Sequence, residues 1–192
     1  MNLMSVYLDA VFHPAIYTNP NIFYQEGWHY EIRDEQEEPV YKGVVLNEMK
    51  GAFASVDETI VDEISRMLFP DNCYRFVSGG DPEYITDLSY EKFIETHGRF
   101  YHPSNARVYL DGDMDIEEVL EFIDREYFSQ YEKEDFCFDI PMQDIVRGSL
   151  HRYEYEITPG DETEHRTQFA FAKIVSSFDN PLKNIGWAAL TS

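Results

Sequence analysis

Tyr41-Lys-Gly-Val-Val-Leu-Asn-Glu-Met-Lys-Gly51 is the stretch on which the reading of this chain turns. A residue every ~100° makes it a helix over about Lys42 to Ala54, with Val45, Met49, Ala52 and Val56 on one face. Glu48 falls on the flank of that face, beside Val44, while Lys42 and Lys50 point elsewhere. A carboxylate turned toward a core is neutralised, paired or bound to a metal, because burying a lone charge costs several kcal/mol. Pattern alone leaves two readings of Glu48 open: a boundary residue paired to a nearby Arg or Lys, or a ligand.

Outward from this helix, the chain alternates helices with short extended stretches. Met1 to Phe12 reads as an amphipathic helix that begins at once, with Leu3, Val6, Tyr7, Ala10 and Val11 on one side, and it stops at Pro14. The end of Phe23 to Ile32 alternates like a strand, and Arg33 to Glu38 is a solvated acidic turn. Asp57 is the expected cap of a second helix that puts Ile60, Ile64, Met67 and Leu68 inward and ends at Pro70. Ser89 caps another, Tyr90 to Phe100, and a long amphipathic helix over Asp115 to Tyr131 turns Ile116, Val119, Leu120, Ile123 and Phe128 to a core. Short strands are expected at Ala106 to Leu110, Leu150 to Ile157 and Thr167 to Ser176, with a polar turn over Thr158 to His165. A last helix starts near Pro181 and is cut at Ser192. The fold class is α+β, with helices packed on an antiparallel-rich sheet. A chain that opens and closes inside helices reads as a fragment.

Composition bounds the partners. Apolar residues make up 43% and aromatic residues 16%, which is globular in spite of the charge. The formal net charge is −22, so phosphate backbones and anionic lipid are repelled, and neither nucleic acid nor membrane is a partner. Basic peptides are favoured by the same field; plain solubility explains it equally well. No apolar run reaches the length of a membrane span, and the N-terminus lacks the basic n-region of a signal peptide. Cys73 and Cys137 stand far apart with no CxxC spacing. They are expected as buried or half-buried thiols of a reducing compartment, the cytoplasm.

The six histidines form no metal motif. His151-Arg-Tyr-Glu-Tyr155 resembles a zinc helix motif with its second His replaced, yet residues 150–157 alternate as a strand, where ligands four apart do not share a face. His102, followed by Pro103, reads as a cap or loop residue, and His165 as a solvated one. Ser78-Gly-Gly-Asp-Pro82 is a turn whose Gly pair lacks the Lys-Ser/Thr of a phosphate loop. The residues alone supply no complete active site.

Five segments, in order, carry a resemblance: Val6-Tyr-Leu-Asp-Ala-Val-Phe-His-Pro14, Gln25-Glu-Gly-Trp28, Tyr41 to Phe53, Ser78 to Pro82, and Tyr101-His-Pro-Ser-Asn-Ala-Arg107 followed by Asp111-Gly-Asp113. Together they resemble the pitrilysin-type zinc metallopeptidases (inverted zincins), most closely the presequence-protease branch. The resemblance implies a half-domain repeat. Residues 1–131 would be the latter part of the catalytic domain, 132–149 a connecting segment and 150–192 the start of a second homologous domain.

In that family a His-x-x-Glu-His helix supplies two zinc ligands and the general base, and a distal Glu completes the site. Glu48 matches the distal Glu. No His-x-x-Glu-His occurs in this chain, and the family places it further upstream than the 47 residues that precede Glu48. The resemblance therefore implies a piece of a zinc metalloendopeptidase that degrades oligopeptides in an enclosed chamber. The piece itself would be inactive, would not hold zinc tightly, and would lack the enzyme's remaining N- and C-terminal portions. A non-catalytic binding or assembly module of the same family is the alternative.

Overall fold

The computed structural model describes residues 2–155, 157, 160, 162–175, 177 and 180–191. In chain order the elements are α1 (Asn2–Phe12), α2 (Asn21–Glu26), β1 (His29–Glu31), β2 (Val40–Lys42), α3 (Val44–Phe53), α4 (Val56–Leu68), α5 (Tyr90–Phe100), α6 (Ile116–Glu126) and α7 (Pro181–Thr191). Short 3-10 turns punctuate them at Ala15–Tyr17, Cys73–Arg75, Ile85–Asp87, Pro103–Asn105 and Phe128–Gln130. The α+β expectation holds: helices dominate, with one antiparallel pair, β1 with β2, registered His29 to Lys42, Tyr30 to Tyr41 and Glu31 to Val40.

Two compact units divide the chain: residues 1–51 with 79–139, and 52–78 with 140–192. In the first, an aromatic seam joins α1 to the end of α6. Phe12, buried, meets the rings of Tyr127, Phe128 and Tyr131 at 6.4, 5.8 and 6.2 Å. The buried Tyr127 hydroxyl donates to the Ser5 carbonyl at 2.8 Å, so the seam carries a polar tie as well as apolar area. A second contact sets α2 on α5, where buried Phe23 packs on Tyr90 and Phe93. Tyr90 Oη donates to the Ile16 carbonyl at 2.6 Å.

Capping follows the sequence at α5, and α6 is capped by Asp115, which was expected only as the first residue of that helix. The Ser89 hydroxyl accepts from the Lys92 amide, and the Asp115 carboxylate accepts from those of Glu117 and Glu118. At α4 the cap is Ser55, whose hydroxyl accepts from the Glu58 amide; Asp57, the expected cap, lies inside the first turn. There its charge favours the helix N-terminus without closing it. Within the second unit, buried Asp62 pairs with Arg66 at 2.8 Å one turn along α4. Gln143 clamps Asp71 from both ends of its amide, accepting from the Asp71 backbone at 3.0 Å and donating to its carboxylate at 2.8 Å.

Several expectations are corrected. On α1 it is Phe12 that is buried, with Met4, Leu8 and Val11 half-buried, while Leu3, Val6, Tyr7 and Ala10 face solvent. The helix has apolar residues on both sides, and the aromatic seam at Phe12 decides which side packs. On α6, Val119 and Ile123 are buried but Ile116 and Leu120 are exposed, and the helix ends at Glu126, short of Tyr131. The segments 106–110, 150–157 and 167–176 form no strand among the described residues. A strand exists only as a partner in a ladder, and among the described residues the ladder is β1 with β2 alone. Both cysteines are exposed. Met1, Glu156, Thr158, Pro159, Asp161, Ser176 and Ser192, which the readings above include, lie outside the described residues.

Candidate functional site

Helix α3 starts where two backbones touch. A Cβ at Gly43 would run into the Gly27 carbonyl, closer than real side chains ever come, so only glycine brings the end of β2 against the start of β1. The Asn47 amide then bonds the Gly43 carbonyl at 3.0 Å and the helix proceeds. Leu46 is 0% exposed and is the deepest side chain of the helix. Met49 and Phe53, three and seven positions on, are half-buried beside it.

That arc decides the orientation of Glu48. Two residues beyond Leu46, it points about 200° away and is exposed. The expected inward face is rotated: Met49, Ala52 and Val56 are half-buried, but Val45 is 37% exposed and Val44 51%. Space beside Gly51, three residues after Glu48, is also open. The Glu48 side of α3 is therefore an uncovered strip of Val44, Val45 and Gly51 with one carboxylate in its middle. Glu48 has no ion-pair or hydrogen-bond partner among the described residues, so the boundary ion pair weighed above is not formed there.

The Gly79-Gly80 turn rests on the same helix. A Cβ at Gly79 would lie 2.5 Å from the Met49 sulfur, and Gly80 has a left-handed φ of 93° against buried Ile85. The Asp81 side chain accepts from the Glu83 amide at 2.9 Å. These glycines serve close packing beside Glu48, in keeping with the absence of a phosphate-loop sequence.

The imidazoles are used structurally. His102 Nδ1 accepts from the Ser104 amide at 3.1 Å, the cap role expected for it. His97 Nε2 faces the Val11 carbonyl at 3.0 Å, so it carries the proton, and Nδ1 of the neutral ring accepts from the Tyr17 hydroxyl at 2.8 Å. Burial holds His97 below the usual imidazole range, with the Val11 hydrogen bond opposing. The same cause raises the Tyr17 hydroxyl, with a smaller push from Tyr131. His151 pairs with Ser149 at 2.7 Å outside any helix, and His165 sits exposed with a φ of 60°. No group of three or more His, Cys, Asp or Glu able to hold a metal occurs among the described residues. Glu48 by itself does not make a zinc site, and the described residues do not complete one.

One cluster escaped the sequence reading. Trp28, Tyr30 and Tyr41 group on one face of the β-hairpin, and their only early signal was the alternation of Trp28 with Tyr30 ahead of the acidic turn.

Residues 87–192 match the family model of the peptidase M16 inactive domain. The chain belongs to the peptidase M16 family. Among relatives of this M16 chain, protein HypA of Clostridium perfringens is 39% identical over 191 residues, covering 99% of the chain and 20% of that protein. Presequence protease 1, chloroplastic/mitochondrial, of Arabidopsis thaliana is 46% identical over 131 residues, 68% of the chain and 12% of that protein. The mitochondrial presequence protease of Xenopus tropicalis is 36% identical over 191 residues, 93% of the chain and 18% of that protein. The M16 chain thus spans about a fifth or less of the length of these relatives. Among its described residues no helix is long and apolar enough to cross a membrane.

Proposed function

We propose that this chain is a portion of a zinc metalloendopeptidase that degrades oligopeptides in an enclosed chamber, and that Glu48 is its distal zinc ligand. The observation that carries the reading is the exposed carboxylate of Glu48 on a helix strip with no partner for it among the described residues. A ligand that meets its co-ligands on another segment needs such a face, and the match of Glu48 to the family's distal Glu is what singles it out from the other solvated carboxylates of an acidic chain. Membership of the M16 family and the similarity to presequence proteases support a peptide substrate. Residues 1–131 are read as the latter part of the catalytic domain, 132–149 as a connector and 150–192 as the opening of the second homologous domain. The unbridged Cys73 and Cys137 support a reducing compartment, the cytoplasm.

With one donor, the chain alone is catalytically silent. Zinc titration of the isolated chain is expected to find no stoichiometric binding, and one tightly held zinc per chain would overturn the incomplete site. Joined to a polypeptide that carries His-x-x-Glu-His, the chain is expected to bind one zinc and cleave an unstructured peptide. In that assembly Glu48→Gln should lose both with its far-UV spectrum unchanged. Zinc and activity retained by the Gln variant would sink the ligand assignment. The second reading, a non-catalytic binding or assembly module, is favoured by the match of residues 87–192 to a domain described as inactive. It predicts that the joined polypeptides associate without gaining zinc or activity.

A further inference from the structure

The β-hairpin separates its side chains by chemistry. One face carries His29, Glu31, Lys42 and the exposed Val40, and its carboxylate is paired: Arg33 bonds Glu31 at 2.6 Å. Arg33 first, then Lys42 and His29, hold that carboxylate below its usual range. The other face carries three mutually packed rings. Trp28 meets Tyr30 at 5.7 Å and Tyr41 at 5.7 Å, both edge to face, and the tyrosines, direct cross-strand partners, lie 4.9 Å apart. The indole is anchored, since Trp28 Nε1 donates to the Leu88 carbonyl at 2.8 Å. Tyr30 and Tyr41 are nevertheless 59% and 44% exposed.

Asp87 directly precedes Leu88, whose carbonyl holds the Trp28 indole, and its negative charge reaches Tyr41. The Tyr41 hydroxyl is raised by its hydrogen bond to Tyr30 first, and Asp87 adds to the rise. Asp87 has no cationic partner among the described residues, and no described cation covers the three rings. Elsewhere the exposed rings Phe76 and Phe100 each take the guanidinium of the preceding residue, Arg75 at 5.2 Å and Arg99 at 5.0 Å. With 15 basic residues against 37 acidic, the chain is short of cations. Here the aromatic faces and a carboxylate converge and the cation is left for a partner to bring.

We propose that the Trp28, Tyr30 and Tyr41 platform, with Asp87 at its rim, docks an arginine side chain of a basic peptide. The guanidinium would stack on the tyrosine faces while its N–H groups reach the carboxylate, an arrangement that suits the planar, weakly hydrated Arg better than Lys. The rest of the acidic surface steers such a peptide but does not choose the side chain. That the arginine belongs to a peptide rests on the peptidase reading. The docking itself needs neither metal nor turnover, so its failure and that of the Glu48 assignment are separately visible.

The chain has two tryptophans, so Trp187→Phe leaves the Trp28 indole N–H as the one indole signal in a 15N spectrum. A soluble decapeptide with two arginines among glycines and alanines should shift that signal saturably. The same peptide with citrulline in place of arginine should not. Tyr30→Leu with Tyr41→Leu, which leaves every charge in place, should weaken binding about tenfold. Tyr30→Phe with Tyr41→Phe should bind as the parent does, because the π faces remain. Asp87→Asn should weaken it about threefold, and Asp34→Asn, an equal loss of charge on the acidic turn, should have little effect. Equal binding of the citrulline peptide overturns the proposal. So do a parent-like affinity in the folded Leu variant, a loss of binding in the Phe variant, or equal effects of Asp34→Asn and Asp87→Asn.

Discussion

Two aromatic clusters in the first unit are built at similar ring spacings and do opposite work. Around Phe12 the rings of Tyr127, Phe128 and Tyr131 close on one another, leaving Phe12 at 7% and Tyr127 at 4% exposure. On the hairpin Trp28, Tyr30 and Tyr41 are as near to each other, yet the tyrosines stand half in solvent. Ring density does not tell core from surface. What differs is coverage: two helices meet over the first cluster, while a two-stranded hairpin offers its second face to water.

The largest test of that difference is Phe12→Ala. Removing a buried ring should cost about 3–5 kcal/mol and lower the urea midpoint sharply. A loss under about 1 kcal/mol would mean that the α1–α6 seam is not part of the core. Tyr127→Phe is gentler. It keeps the ring and removes the hydrogen bond to the Ser5 carbonyl, and about 1–1.5 kcal/mol is expected in the same assay. An unchanged midpoint would show that the packing holds α1 without its polar tie.

A smaller, pH-dependent effect belongs to His97. Its folded pKa lies below the unfolded one, so between the two the unfolded chain holds the extra proton. Its contribution to stability is therefore complete above the unfolded pKa of about 6.5 and is lost as pH falls through the folded value. Urea midpoints of the parent and His97→Gln, followed from pH 8 to pH 5, should converge toward acid. Parallel curves would show that the ring is not buried neutral. The smallest effect is expected on the hairpin, where Tyr30→Leu should change stability by no more than about 0.5 kcal/mol. A cost like that of Phe12→Ala would erase the contrast between the clusters.

The sequence made the helices legible where a capping side chain marks the start and a proline or a change of pattern marks the end. Ser89, Asp115, Pro14 and Pro181 all sit at or next to the ends they were read to mark. Burial was less legible. In α1 and α3 apolar residues cover more than one face, and only tertiary partners select among them: Phe12 over Leu3 and Val6, Leu46 over Val45. The strand reading at 150–157 relied on alternation, which reports a chain fit for a sheet and not the neighbour it needs, and the short apolar stretches at 106–110 and 167–176 lacked that neighbour too among the described residues. The family was legible from five ordered segments, and the match over residues 87–192 agrees with it. Glu48 was found for a reason that changed. It stood out as a carboxylate turned inward, and it stands in the structure as one turned outward.

The meeting of Gly27 and Gly43 has a consequence for substitution. A Cβ at position 43 would overlap the Gly27 carbonyl oxygen, so Gly43→Ala can be housed only by pushing the foot of the hairpin away from the start of α3.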